Sequence, residues 1–162
     1  MAYLENPEES PCFGCGPKHA RGLHLQFERA EGEDGVPEVR TSFTPKPDEI
    51  GWPTVFHHGL HFLVMSEVSY WTALTLTGKV WVMVGPATYT AERLPRVGVD
   101  HLARGRIEER KPEHLAIRAT TATVEAGKSC GSLESSWRPA SRVVVDRAHI
   151  PLPEYLREDL FP

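Results

Sequence analysis

From His57 or His58 to the residue before Gly78 the chain reads as one long helix, and the rest of the fold has to be arranged around it. At about 100° per residue, Leu60, Leu63, Val64, Glu67, Trp71 and Leu74 share one stripe. Gly78 is a good C-terminal stop. At about 1.5 Å per residue the helix would run close to 30 Å, enough to span a small sheet. The stripe is apolar except for Glu67. A buried, unpaired carboxylate is costly, so it needs a partner or a raised pKa, and either outcome is typical of a chemical site. The plainer reading is a helix rotated slightly, with Glu67 at an interface edge or paired to an arginine.

Strand signals flank this helix. Leu23, Leu25 and Phe27 alternate with His24 and Gln26, and Val39, Thr41 and Phe43 alternate again across the polar turn Glu31 to Gly35. The two runs predict a hairpin. Pro45, Pro47 and Pro53 make Thr44 to Val55 a loop. After the helix come Lys79 to Ala91, Gly98 to Arg110, His114 to Glu125 and Ser129 to Arg138, joined by short turns. Short connections imply an antiparallel sheet, so the fold class is α+β, one helix covering a sheet face. Residues 1–21 read as an irregular N-terminal segment and 142–162 as a tail over the surface, all within a single domain of 1–162.

Composition removes several function classes. A formal net charge of -4 gives no electrostatic reason to expect nucleic acid. The first ten residues hold three glutamates and no apolar run, unlike a secretory signal. The most apolar stretch, Leu60 to Val84, is interrupted by His61, Glu67, Gly78 and Lys79, which argues against a membrane span. Three cysteines, an odd number, fit a reducing compartment and a cytoplasmic location.

Three motifs carry a resemblance. Cys12-Phe13-Gly14-Cys15-Gly16-Pro17, continuing through Gly22-Leu23-His24-Leu25-Gln26-Phe27, resembles the opening of hotdog thioesterases of the phenylacetyl-CoA type. That group commonly reads Cys-Phe-Gly-Cys-Gly-Pro-x-Asn-Pro-x-Gly-Leu; His19 and Ala20 stand here in place of the Asn-Pro. The helix start is similar as well: Trp52-Pro53, then His58-Gly59, with Glu67 nine positions after the histidine, where the family places its acid. Gly78-Lys79 entering the next strand, then Arg93 and Val97-Gly98, make the third match. The resemblance implies a hotdog fold, with an antiparallel sheet wrapped around one long central helix. Two departures stand out. The family's second helix glycine is Leu60, and Met83 or Val84 takes the strand position where the family often carries a Thr or Ser.

The resemblance implies an acyl-CoA thioesterase that works as a dimer or dimer of dimers on acyl-CoA or a related thioester, without a cofactor. Helix N-terminal amides around Gly59 and Leu60 would polarise the thioester carbonyl. Glu67 would activate water as general base or attack directly, and His58 would orient the helix entry. Leu60, Trp52, Phe56, Met83 and Val84 are the candidate substrate-binding residues. The alternative from another class is a non-catalytic hotdog module that binds an acyl thioester or simply assembles; a hydratase is a weaker third. Cys12-x-x-Cys15 lacks a second such pair, and the His57/His61 pair lacks a third ligand of diagnostic spacing, so no metal site is expected.

Overall fold

A computed structural model describes residues 4–148. The described elements are β1 (Glu28–Glu31), β2 (Pro37–Phe43), β3 (Ile50–Trp52), β4 (Val55–Phe56), α1 (His58–Thr77), β5 (Trp81–Met83), β6 (Thr88–Ala91), β7 (His101–Lys111), β8 (His114–Thr123), β9 (Ser129–Pro139) and α2 (Arg142–Ala148). The main sheet is antiparallel, in the order β1-β2-β7-β8-β9-β5, with β6 also pairing β9. β3 and β4 form a small two-stranded sheet ahead of the helix. The α+β architecture expected from the pattern is the one observed, with α1 lying across β2, β7 and β8.

The predicted helix bounds match because both ends carry explicit signals. His57 caps the start, and Gly78 adopts φ 67° with its N–H on the Leu74 carbonyl. The stripe is turned from its expected position. Val64, Trp71 and Leu74 are buried, but so are His61, Met65, Val68, Ser69, Thr72 and Ala73, while Leu60, Leu63 and Glu67 are half-buried. Counting apolar residues alone misses the two hydroxyls. Ser69 Oγ donates to the Met65 carbonyl at 2.8 Å and Thr72 Oγ1 to Val68 at 2.6 Å, so both enter the core with their polarity satisfied by the helix itself. Glu67 thus borders the buried face instead of centring it.

The core joins Val64, Val68, Trp71 and Leu74 to Phe27, Val39, Ala103, Ala119 and Leu133, with the Phe27 and Trp71 rings stacked at 5.1 Å. Helix and sheet approach closely at Gly105. A Cβ there would lie 2.2 Å from Thr72 Oγ1 and 3.0 Å from the Val68 carbonyl. Gly105→Ala is therefore expected to destabilise the fold by about 1–3 kcal/mol, the scale of overpacking. Adding Thr72→Ala should recover part of that loss in denaturant titrations; a double variant no more stable than Gly105→Ala alone would contradict the close contact as the cause.

Two strand expectations change. Leu23 to Phe27 does alternate between buried and exposed positions, but it is not the hairpin's first strand. The Leu23 and Leu25 N–H groups donate to the Phe13 and Gly14 carbonyls, and sheet pairing begins only at Glu28 opposite Arg40. Alternation reports one wet face and cannot name the partner. Lys79 to Ala91 is two strands, because Gly85 at φ 75° and Pro86 interrupt it. The expected loop Thr44 to Val55 contains β3, and the tail begins as α2; residues 149–162 lie outside the described residues.

Candidate functional site

Glu67 is covered by a segment more than fifty residues away in sequence. The turn from Cys12 to Gly16, closed by the Gly16 N–H on the Cys12 carbonyl at 2.8 Å, lies over the carboxylate. Cys12 Sγ donates to Glu67 Oε1 at 3.3 Å, and Asn6 Nδ2 holds the Cys15 carbonyl. Glu67 Oε2 is buried and has no hydrogen-bond partner among the described residues. Burial pushes the carboxyl up to about 7, against a hydrogen bond from Cys15 that pulls it down. The same cluster, led by the bond to Cys12 and then by burial, shifts the Cys15 thiol upward. A carboxyl of this kind exchanges its proton near neutrality.

Gly14 makes the close cover possible. A Cβ at this position would fall 2.5 Å from Glu67 Cγ and 2.6 Å from Cδ. Gly14→Ala should therefore push the carboxylate aside while leaving the fold largely intact, since the obstacle is a side chain able to rotate. If the chain turns over thioesters as the resemblance implies, the expected outcome is a fall in kcat of about tenfold or more, with a melting temperature within a few degrees of wild type. Equal kcat in the two proteins would show that the carboxylate position does not matter for turnover.

At the helix entry, His57, His58 and Gly59 are all exposed. His57 Nδ1 accepts the Gly59 N–H at 3.0 Å and its carbonyl accepts the His61 N–H at 2.9 Å. The Gly59 amide is thus engaged, and the amides of His58 and Leu60 are the first-turn donors left for a ligand. Leu60 packs partly against the core, and Trp52 is 70% exposed on β3. Phe56 is buried, against Phe43 at a ring separation of 5.7 Å, and lines a cleft of about 450 Å³. Leu23, Leu25, Phe43 and Val64 line the same cleft, with Lys46, Glu49 and Asp100 among its polar members. Met83 and Val84 lie at and just after the end of β5, at the sheet margin, half-buried; neither lines that cleft. Arg93 and Arg96 are exposed, and Arg104 sits 3.9 Å from the buried Glu38.

One polar network was not foreseen. His61 is fully buried, with Nδ1 2.9 Å from Tyr89 Oη and Nε2 2.7 Å from Thr121 Oγ1. Both ring nitrogens are occupied, so His61 forms no metal-binding pair with His57. Burial, then the nearby His101 and His58, depress its pKa to about 4.

The architecture is similar to that of several solved structures. One described as a thioesterase superfamily protein superposes with a TM-score of 0.67 at 20% identity, over 79% of this chain and 60% of that one. The fold is the hotdog fold. This chain therefore spans about 60% of that protein's length. The Escherichia coli PaaI protein from the phenylacetic acid degradation operon gives 0.61 at 11% identity, over 71% and 80% of the two chains. The Streptococcus mutans protein smu.793, solved bound to acetyl-CoA, gives 0.61 at 13%, over 70% and 88%. No protein-family model and no curated protein matches the sequence. Likeness at these identities establishes the hotdog fold; chemistry has to be argued from the site.

Proposed function

We propose that this hotdog chain hydrolyses acyl-CoA thioesters, with Glu67 as general base or nucleophile. The observation that carries this reading is the Glu67 carboxyl, half-buried beneath the Cys12–Gly16 turn, with one oxygen unpartnered among the described residues and its pKa pushed up to about 7. A base poised near the working pH combines a useful ionised fraction with a strong drive to take a proton from water. The cleft lined by Phe56 and Val64 would take the acyl group. The ligand class is supported by the acetyl-CoA-bound Streptococcus mutans structure and by a Streptococcus pneumoniae hypothetical thioesterase solved with coenzyme A.

On this reading one copy would not hold the whole site. Gly59 and Glu67 are eight residues apart on one helix, about 12 Å along its axis. A carbonyl hydrogen-bonded to one helix's first-turn amides is thus out of reach of the same helix's carboxylate, and a second copy would have to supply the acid. Edge strands bearing unpaired backbone groups favour such pairing, and β5 and β6 form one margin of the sheet. The expected result is a dimer or dimer of dimers by sizing with light scattering at micromolar concentration. A mass of 18.1 kDa, the single chain, would remove the shared site.

The engaged Gly59 amide favours a second reading, a module that binds an acyl thioester without cleaving it. A hydrolysis panel of short, medium, long and aromatic acyl-CoAs separates the two. Turnover on any member supports the thioesterase, and acyl-CoA binding without turnover on all of them favours the binding module.

A further inference from the structure

Cys12, Cys15 and Glu67 present one ligand atom each, all within 4.8 Å of one another. Two ligands on a tetrahedral zinc, at about 2.3 Å for sulfur and about 2.0 Å for oxygen, stand about 3.5 Å apart. Cys12 Sγ and Glu67 Oε1 are 3.3 Å apart. The backbone holds both thiols on the Glu67 side of the turn. A Cβ on Gly16 would lie 2.3 Å from the Ser10 carbonyl, so the turn is closed on itself, and Gly14 lies directly against Glu67. Independently, Glu67 Oε2 is a buried acceptor lacking any donor among the described residues. Thiolates and a carboxylate are the donor set of zinc and its congeners.

We infer that Cys12, Cys15 and Glu67 form a binding site for a zinc-class divalent cation, with a fourth coordination position left for water. The pair Cys12-x-x-Cys15 looks insufficient in sequence because its third ligand is on α1, far along the chain. Binding displaces the protons held by the thiols and by the Glu67 carboxyl and involves no redox change: two thiolates and a carboxylate meet one dication. The ion would occupy the carboxylate that the thioesterase reading uses as base, so occupancy would silence hydrolysis. That consequence rests on the thioesterase reading, whereas binding itself does not.

The test uses the full chain, stripped with a chelator and kept reduced with a non-thiol reductant. Co²⁺ is titrated in while absorbance is followed. The expected result is a thiolate-to-cobalt charge-transfer band with tetrahedral visible bands, saturating at one equivalent and displaced by Zn²⁺. Cys12→Ser with Cys15→Ser should abolish the charge-transfer band, and Glu67→Gln should weaken Co²⁺ binding by about tenfold or more while keeping it. Absence of the band in wild type overturns the site, whether or not the variants fold. So does a band that persists in the folded double variant, or unchanged Co²⁺ affinity in Glu67→Gln. Hydrolysis is read separately: no turnover by metal-free protein defeats the thioesterase reading and leaves the cobalt result standing. Full turnover by zinc-saturated protein overturns Glu67 as a ligand.

Discussion

Glu67→Gln is expected to lower kcat of the metal-free protein by roughly 10²-fold or more, the scale usual for a positioned acid–base group. Its melting temperature should hold or rise. The carboxyl titrates at about 7 in the fold against an ordinary 4.5, so the native state favours the protonated form. Between those values the folded chain carries a proton that the unfolded chain has lost, and wild-type stability falls as pH rises through this window. A neutral amide has no such dependence. The advantage of Gln should therefore grow from about pH 4.5 to about 7 and be complete above it. A structural ion-pair partner would behave oppositely: the substitution would destabilise the protein and leave turnover per folded molecule intact. Melting curves from pH 5 to 8, together with kcat, separate the two cases.

The second large effect concerns His61. With a folded pKa near 4 and an ordinary value of 6.5, the native state holds the imidazole neutral between two hydroxyls. Stability from this source is fully present above about pH 6.5 and is lost as pH falls toward 4, because the unfolded chain takes up a proton there that the native state refuses. The shift corresponds to about 3 kcal/mol, a sizeable part of a domain's total. His61→Phe should remove this acid sensitivity. It should also destabilise the protein at neutral pH by about 2–4 kcal/mol, since the half-buried Tyr89 and the buried Thr121 lose their partner. Urea titrations at pH 7.5 and 5 give both numbers. An unchanged pH slope in the variant would mean that another group, such as the buried His101, governs acid unfolding.

Legibility from sequence followed the range of the interactions. Helix α1 could be bounded because its signals are local, and β7, β8 and β9 because they are long and joined by short turns. His58 and Glu67 stood out by spacing. The Cys12–Gly16 cover over Glu67 did not, since no local pattern links a Gly-rich turn to a carboxylate more than fifty residues on. The His61 network was missed for the same reason: its hydroxyl partners come from β6 and β8. The β5/β6 break was readable, for Gly85-Pro86 is a turn signal inside a strand run. The rotation of α1 was harder to see, because Ser69 and Thr72 hide their polarity only once the helix has formed.

The burial of one face of α1 also bears on how the chain is made. The helix ends at Thr77, but β8 and β9, which complete its cover, run to Pro139. A ribosome adding about 5–20 residues per second leaves the apolar helix without its full cover for roughly 3–12 seconds. Sheet closure then depends on contacts distant in sequence, which form slowly. Until β9 emerges, the nascent chain is a natural client for chaperones that bind exposed hydrophobic segments, and slower translation would lengthen that exposure.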